Sequence, residues 1–246
     1  AASLIDGALH SGFESFSHYL PCDAAVAVQT ASVAEPKPYT QSIAHHAGWQ
    51  WRIPLQNRVG NGLVYCQRYL DDKAALDLLL SQVDGELLST PKTFHYRTGR
   101  RPKSWTKNCV AIGLAQGFLE PLESTSIHLS MTAILRLIKL WPAGQITSNM
   151  IDEYNQQTNQ EIDGIRDFLI LHYKTTRRAD SAFWRHCRQM AIPDSLAQRI
   201  ELFKQSATVN VPENALFQND SWVQVMLGQG IVPSRYHPIV DSMPRM

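Results

Sequence analysis

The hydrophobic period changes once along this chain, and that change limits the folds open to it. Up to about residue 117, short runs alternate apolar with polar residues; beyond residue 124, apolar residues return every three to four positions. "CDAAVAVQTASV" (22–33) has the small alternating pattern of a half-buried strand. "YTQSIAHHAGWQWRIPLQNRVGNGLVYCQRYL" (39–70) reads as one long hairpin, with its turn near "VGNG", where glycine and asparagine tolerate positive φ. The "GNG" within it lacks a third glycine and a following helix, so it is no phosphate-binding fingerprint. "DDKAALDLLLSQVDGELL" (71–88) has an acidic first turn and a helical period. "KTFHYRTGRRPKSW" (92–105) returns to alternation around a basic, solvated turn, with "TTRRAD" (175–180) a second such turn. "NCVAIGLA" (108–115) is an unbroken apolar run that predicts a strand buried on both faces.

Helices then dominate. "TSIHLSMTAILRLIKLW" (125–141) is apolar on nearly every side and predicts a buried helix that "PAG" stops. "SNMIDEYNQQTNQEIDGIRDFLILHYKTT" (148–176) predicts a long amphipathic helix. "DSAFWRHCRQM", "PDSLAQRIELFKQS" and "NDSWVQVMLGQG" predict shorter ones, each capped by Asp, Ser or Asn. The pattern is that of an α/β (α+β) protein with a mostly helical C-terminal region. The first sixteen residues start without methionine, directly in a helix-like pattern, as a chain joined midway would.

Net charge is +1 at 18% charged residues, which gives no electrostatic case for nucleic acid or an anionic membrane as partner. No apolar run reaches the ~18 residues of a membrane span. Cys22, Cys66, Cys109 and Cys187 lie far apart with no zinc-ligand spacing, so no disulfide framework or metal site is expected, and the cytoplasm is the default compartment. His45 and His46, adjacent in a strand, would face opposite ways and not share a metal.

The stretch with chemical content is "GFLEPLESTSIHL" (117–129), which sets Glu120 and Glu123 around Pro121 where a helix begins. A helix start presents unpaired amides and the positive end of its dipole, which favour an anion by ~0.3–1 kcal/mol at exposed sites. The amides of Ser124, Thr125 and Ser126 are the candidate donors. Ordinary capping accounts for the same residues when the motif stands alone.

It does not stand alone. "GWQWRIPLQNRVGNGLVY" (48–65) and "GLAQGFLEPLESTSIHL" (113–129) together resemble the flavin-dependent halogenases of the tryptophan-halogenase family. Trp49, Trp51, Ile53 and Pro54 match its Trp-x-Trp-x-Ile-Pro signature, and Glu123, Ser124 and Thr125 its Glu-Ser-Thr element. "LPCDAAVAV" (20–28) and "SWVQVMLGQGI" (221–231) extend the likeness over almost the whole chain. The family's G-x-G-x-x-G and its lysine, both from an N-terminal half, have no counterpart, so the likeness covers a C-terminal half.

The resemblance implies a flavin-monooxygenase-like FAD/NAD(P)-binding fold, incomplete here. Residues 1–123 would belong to its β-sheet domain and 124–246 to a helical substrate region. It implies an oxidoreductase that uses reduced FAD, oxygen and chloride or bromide to form hypohalous acid, which halogenates an electron-rich aromatic such as an indole, as in antibiotic biosynthesis. A separate NADH-dependent flavin reductase would supply the reduced FAD, and homodimer formation is left open; the fragment alone would be inactive. Glu123 would be catalytic, with halide on the amides of Thr125 and Ser126. Gly113, Leu114, Ser124 and Ile127 would border the flavin. Trp49 and Trp51 would line a tunnel and keep substrate from the flavin. Phe183 and Trp184 would sandwich the substrate, although both also suit a helix core, and Tyr173 would bind its polar end. Glu120 would be a first-turn charge only.

Three departures bear on substrate. Ser126 stands where tryptophan-specific members have glycine, His172 where they have a second tyrosine, and Ala179 where an acidic residue would meet the substrate ammonium. Free indole, a substituted indole or phenol, or peptide-borne tryptophan therefore fits better than free tryptophan. A single-component flavin monooxygenase would share the strand–loop–helix but not need Trp49 and Trp51. A non-catalytic helical binding module is the remaining alternative.

Overall fold

A computed structural model describes residues 3–242, the side chain of Ser3 excepted. The strands are β1 (Glu14–Ser15), β2 (Ala24–Ala31), β3 (Gln41–His45), β4 (Gly48–Pro54), β5 (Arg58–Tyr65), β6 (Lys92–His95), β7 (Gly99–Arg100), β8 (Trp105–Thr106), β9 (Cys109–Val110) and β10 (Gly117–Phe118). The helices are α1 (Asp72–Ser81), α2 (Ser126–Lys139), α3 (Ser148–Lys174), α4 (Ala182–Gln189), α5 (Asp194–Ser206) and α6 (Asn219–Gly228). Short helical turns occupy Ser3–Ala8, Gly113–Ala115, Pro121–Glu123 and Pro238–Ser242. The fold is mixed α/β. Secondary structure changes character near residue 124, but the compact units follow other lines: one holds residues 20–98 and 178–187, the other 1–19, 99–177 and 188–246. No helix among the described residues is long and apolar enough to cross a membrane.

The first unit is an antiparallel sheet in the order β3-β4-β5-β2-β6. Its core joins Ala24, Val26 and Val28 of β2 with Leu63 and Tyr65 of β5 and Ala75 and Leu79 of α1. Burying a leucine or valine there contributes about 1.5–3 kcal/mol. The predicted single hairpin is two. His46 and Ala47 form the first turn, between His45 and Gly48; Leu55 to Asn57 form the second, where the Leu55 amide donates to the Arg58 carbonyl at 2.9 Å. "VGNG" lies inside β5. Gly62 pairs with Trp51, and a Cβ on Gly62 would sit 2.0 Å from the Trp51 ring. That glycine admits an aromatic ring across the strand rather than turning the chain. Asn61 between the glycines is buried and donates to the Thr30 hydroxyl at 3.1 Å.

Helix α1 ends at Ser81, shorter than its apolar pattern predicts. Asp71 caps it by accepting from the Ala74 amide at 2.9 Å. Asp72 accepts from the Tyr65 hydroxyl at 2.7 Å, from Gln67 at 3.1 Å, and meets His95 at 2.9 Å. The Tyr65 hydroxyl, foremost among these, holds the Asp72 carboxyl below the usual carboxylate range. A depressed native value adds stability above about pH 4 and forfeits it as pH falls through that value. Asp72→Asn is therefore expected to lower the thermal midpoint at neutral pH. Its deficit against the parent chain should close as melting is repeated at progressively lower pH.

In the second unit α3 is the axis. Tyr154, Thr158, Ile162, Ile165, Phe168 and Leu169 are buried along it. Phe217 stacks on Phe168 at 4.0 Å, and Trp222 meets Phe168 edge-on at 5.0 Å. β1, β7 and β10 form a small antiparallel sheet, and β8 pairs with β9.

Four expectations change in this unit. Only Cys109 and Val110 of "NCVAIGLA" form a strand; Gly113, at φ +63°, then opens a 3-10 turn. Pro193 and Gln218, not Asp194 and Asn219, stand at the caps of α5 and α6, neither with a side-chain cap bond. "TGRRPK" is not a solvated turn: Arg100 and Arg101 are buried, Arg100 paired with Glu14 at 3.0 Å and Asp163 at 3.1 Å, Arg101 with Asp6 at 3.0 Å. Helix α2 is not buried all round; only Ala133 is, while Ile127 is 76% and Ile138 63% exposed. The cause is the stripe His128, Thr132 and Arg136, one turn apart, which meets Glu161 of α3 at 3.1, 3.0 and 2.8 Å. Polar residues hold α2 on α3, so its apolar stripe faces away.

Candidate functional site

The acidic turn separates its two glutamates by environment. Glu120 precedes the 3-10 turn Pro121–Glu123 with extended backbone (φ −60°, ψ 158°), and Pro121 fixes the turn's first φ. Glu120 is 0% exposed and accepts the Tyr173 hydroxyl at 2.6 Å. It is a buried acceptor, not the first-turn charge anticipated. Tyr173, itself buried, directs its hydroxyl to that carboxylate.

Glu123 ends the turn with its side chain 30% exposed and Oε1 3.1 Å from His172 Nε2. The other ring nitrogen of His172, Nδ1, lies 2.9 Å from the Phe168 carbonyl. A carbonyl only accepts, so Nδ1 carries a hydrogen. The Phe168 ring meets the imidazole edge-on at 5.1 Å and holds its plane.

Ser124 follows at φ +54°, ψ 37°, a left-handed backbone costly for a residue with a Cβ. Its amide donates to the Pro121 carbonyl at 3.0 Å, so of the three candidate donors this one is engaged. The left-handed residue reverses the chain and lets α2 begin at Ser126. Thr125 is the cap position, buried, and makes no side-chain cap bond. The first-turn amides of α2 therefore lack an intrahelical acceptor and are not served by the Thr125 hydroxyl.

Gly113, Leu114 and Ser126 share the wall of a cavity of about 60 Å³ with Leu129 and Ser130. A Cβ on Gly113 would come 3.1 Å from the Ser130 hydroxyl, and φ there is positive, so the position suits glycine alone. Leu114 is 67% exposed, like Ile127 an apolar side chain turned outward. Ser124 and Ile127 do not line that cavity. A bare backbone beside exposed Leu114 and the helix start fits the edge of a flat, polar-rimmed ring such as a flavin. A dinucleotide tail has no glycine-rich loop here to hold it.

In the sheet unit, Trp49 is buried and Trp51 half-buried on one face of β4, their centroids 6.1 Å apart and tilted by 56°. Phe183 and Trp184 are both buried, with centroids 4.9 Å apart at 72°. Set edge to face, these rings pack on each other and leave no slot between them for a third ring. Trp184 Nε1 donates to the His45 carbonyl at 2.7 Å, and Tyr69 meets Phe183 edge-on. Asp180, next to Ala179, is held by both arms of Arg178 at 3.0 and 2.6 Å. No three His, Cys, Asp or Glu side chains converge to hold a metal among the described residues.

The contact that sequence reasoning missed is His172 with Glu123. "ESTS" and "LHYK" carry no local sign of each other; a pairing between a turn and the far end of α3 appears only in three dimensions.

Comparison with known proteins shows what the chain as a whole is similar to. A family model, tryptophan halogenase, matches residues 1–245. The solved structure of Xcc4156, a flavin-dependent halogenase from Xanthomonas campestris, superposes with a TM-score of 0.96 at 51% identity over 99% of this chain and 49% of that one. BrvH, a flavin-dependent halogenase from Brevundimonas sp. BAL3, gives 0.94 at 44% identity, covering 99% of this chain and 50% of its own. The curated tryptophan 6-halogenase SttH of Streptomyces toxytricini is 38% identical over 96% of this chain and 46% of its own length. The chain thus spans about half the length of these relatives.

Proposed function

The chain belongs to the tryptophan halogenase family, and on that premise we propose that it forms the halogenating portion of an FAD-dependent enzyme. That enzyme would chlorinate or brominate an electron-rich, indole-like aromatic. The observation that carries this is the turn at 120–126. It sets one accessible carboxylate, Glu123, beside a helix start whose amides the side chain of its cap residue does not serve.

Reduced FAD, delivered by a separate NADH-dependent reductase, would with oxygen convert bound halide to hypohalous acid. Gly113, Leu114, Ser124 and Ile127 would border the flavin. Thr125 and Ser126 would hold chloride or bromide through their amides, where the α2 dipole favours negative charge. Ser126 brings a side chain to that position, but a backbone amide binds an anion all the same. Glu123 would hold the halogenating species and take the proton that the attacked ring gives up.

For the sheet unit the proposed role is steric. Trp49 and Trp51 would wall aromatic substrate away from the flavin, and Phe183 and Trp184 would sandwich it only if the two buried rings part. Tyr173 would reach substrate only by releasing Glu120, so its proposed part is to hold the turn. Ala179 offers no carboxylate, and Arg178 already occupies Asp180, so a free amino acid's ammonium finds no partner there. Free indole, a substituted indole or phenol, or a peptide-borne tryptophan is the proposed substrate class.

Mass spectrometry tests this with the intact enzyme that carries this chain, supplied with FAD, a reductase, NADH and chloride or bromide on a panel of aromatics. The expected result is a mono-halogenated indole-type product, with free tryptophan the poorer substrate. Hydroxylated products without halogen would indicate a monooxygenase instead.

A further inference from the structure

We infer that His172 is the proton partner of Glu123, a positioning residue that lets this carboxylate both lend and recover a proton within one turnover. The inference rests on the halogenation proposed above, but its geometry does not. Phe168 accepts from Nδ1 at 2.9 Å, which leaves Nε2 facing Glu123 Oε1 at 3.1 Å. A lone pair on Nε2 opposite a carboxylate lone pair would repel. The contact is attractive only with a proton between them, on the imidazole as an ion pair or on the carboxyl as an acid. Either way the pair stores one proton. The histidine is 20% and the glutamate 30% exposed, so both stay within reach of solvent.

The nearest ionisable residues in sequence are engaged elsewhere. Glu120 is turned into the interior and engaged by Tyr173. Lys174, two residues on and so on the opposite side of α3, donates to the Met190 carbonyl at 2.6 Å, and burial lowers it from the usual lysine value. Within this unit, then, His172 is the side chain set against Glu123, at 3.1 Å.

The proton balance closes over the reaction. The pair gives its proton to the oxygen of hypohalous acid as the halogen–oxygen bond breaks and water departs. The aromatic π electrons form the carbon–halogen bond. The resulting cationic ring loses its C–H proton to Glu123, the C–H electron pair restores aromaticity, and the pair again holds one proton. Overall, an arene and hypohalous acid become a haloarene and water.

The test compares His172→Gln, Glu123→Gln and the double variant in the intact enzyme with bromide and indole. Glutamine can still donate to Glu123 but cannot carry the proton. The expected result is a fall in kcat of about tenfold or more with KM nearly unchanged, and a double variant no slower than Glu123→Gln alone. His172→Ala should regain turnover with added imidazole, a recovery that a merely misfolded variant would not show. In a proton–nitrogen NMR spectrum of the intact enzyme, Glu123→Gln should move the His172 Nε2 resonance and leave Nδ1 in place. Wild-type kcat in His172→Gln, additive losses in the double variant, or an unmoved Nε2 would overturn the inference while leaving halogenation intact. A parent enzyme that makes no halogenated product would overturn both.

Discussion

Glu123→Gln in the intact enzyme leaves FAD bound and lowers halogenation at least ~10²-fold, the loss typical of removing a positioned acid–base group. Size and shape are conserved, and the 3-10 turn depends on Pro121 and the Ser124 amide rather than on the Glu123 side chain. The fall should therefore appear in kcat, with flavin fluorescence and the melting temperature close to the parent's. Glu120→Gln is the informative partner. It alters a fully buried acceptor of the Tyr173 hydroxyl, so its effect should fall first on stability, through a changed buried hydrogen bond. Turnover unchanged in Glu123→Gln would remove this carboxylate from the chemistry.

Gly48→Ala is expected to cost about 3 kcal/mol, the upper end of ordinary overpacking. A Cβ at Gly48 would lie 2.0 Å from the Val64 carbonyl oxygen and 2.8 Å from the Tyr65 Cα. Those are backbone atoms of β5 in the middle of the sheet, and Gly48 pairs directly with Tyr65. No rotamer change relieves such a clash; the strands must part. At Gly62 the obstacle is the outer end of the Trp51 ring, which can swing, so Gly62→Ala should displace Trp51 at smaller cost. Gly164, an exposed residue within α3 where a Cβ meets nothing within 4 Å, supplies the opposite sign. Gly164→Ala should stabilise the chain by about 0.5–1 kcal/mol. Urea titrations of the three variants against the parent measure all of this, with Gly48→Ala shifting the midpoint most.

Sequence periodicity located α3, α4, α5 and α6 because each buries apolar residues at helical spacing, although the second half of α3 is buried on every side, residues 165–171 without a break. It misjudged α2 for a physical reason. An apolar count cannot say which side of a helix its neighbour holds, and here a histidine, a threonine and an arginine grip Glu161. "VGNG" misled similarly: glycine serves both positive φ and close approach, and only the partner strand with Trp51 on it decides between them. The turn at 120–126 was legible as a motif, since local signals, Pro121 and the Ser/Thr run, set its backbone. The contrast between Glu120 and Glu123 was not, because α3 makes it, burying one carboxylate under Tyr173 and presenting His172 to the other.

In the proposed function, the halide that the enzyme transfers sits at the start of α2. A bromide-soaked crystal of the intact enzyme, measured at the bromine absorption edge, addresses it directly. An anomalous peak is expected within hydrogen-bonding distance of the Thr125 and Ser126 amide nitrogens. Saturating bromide with no peak at that helix start would contradict it.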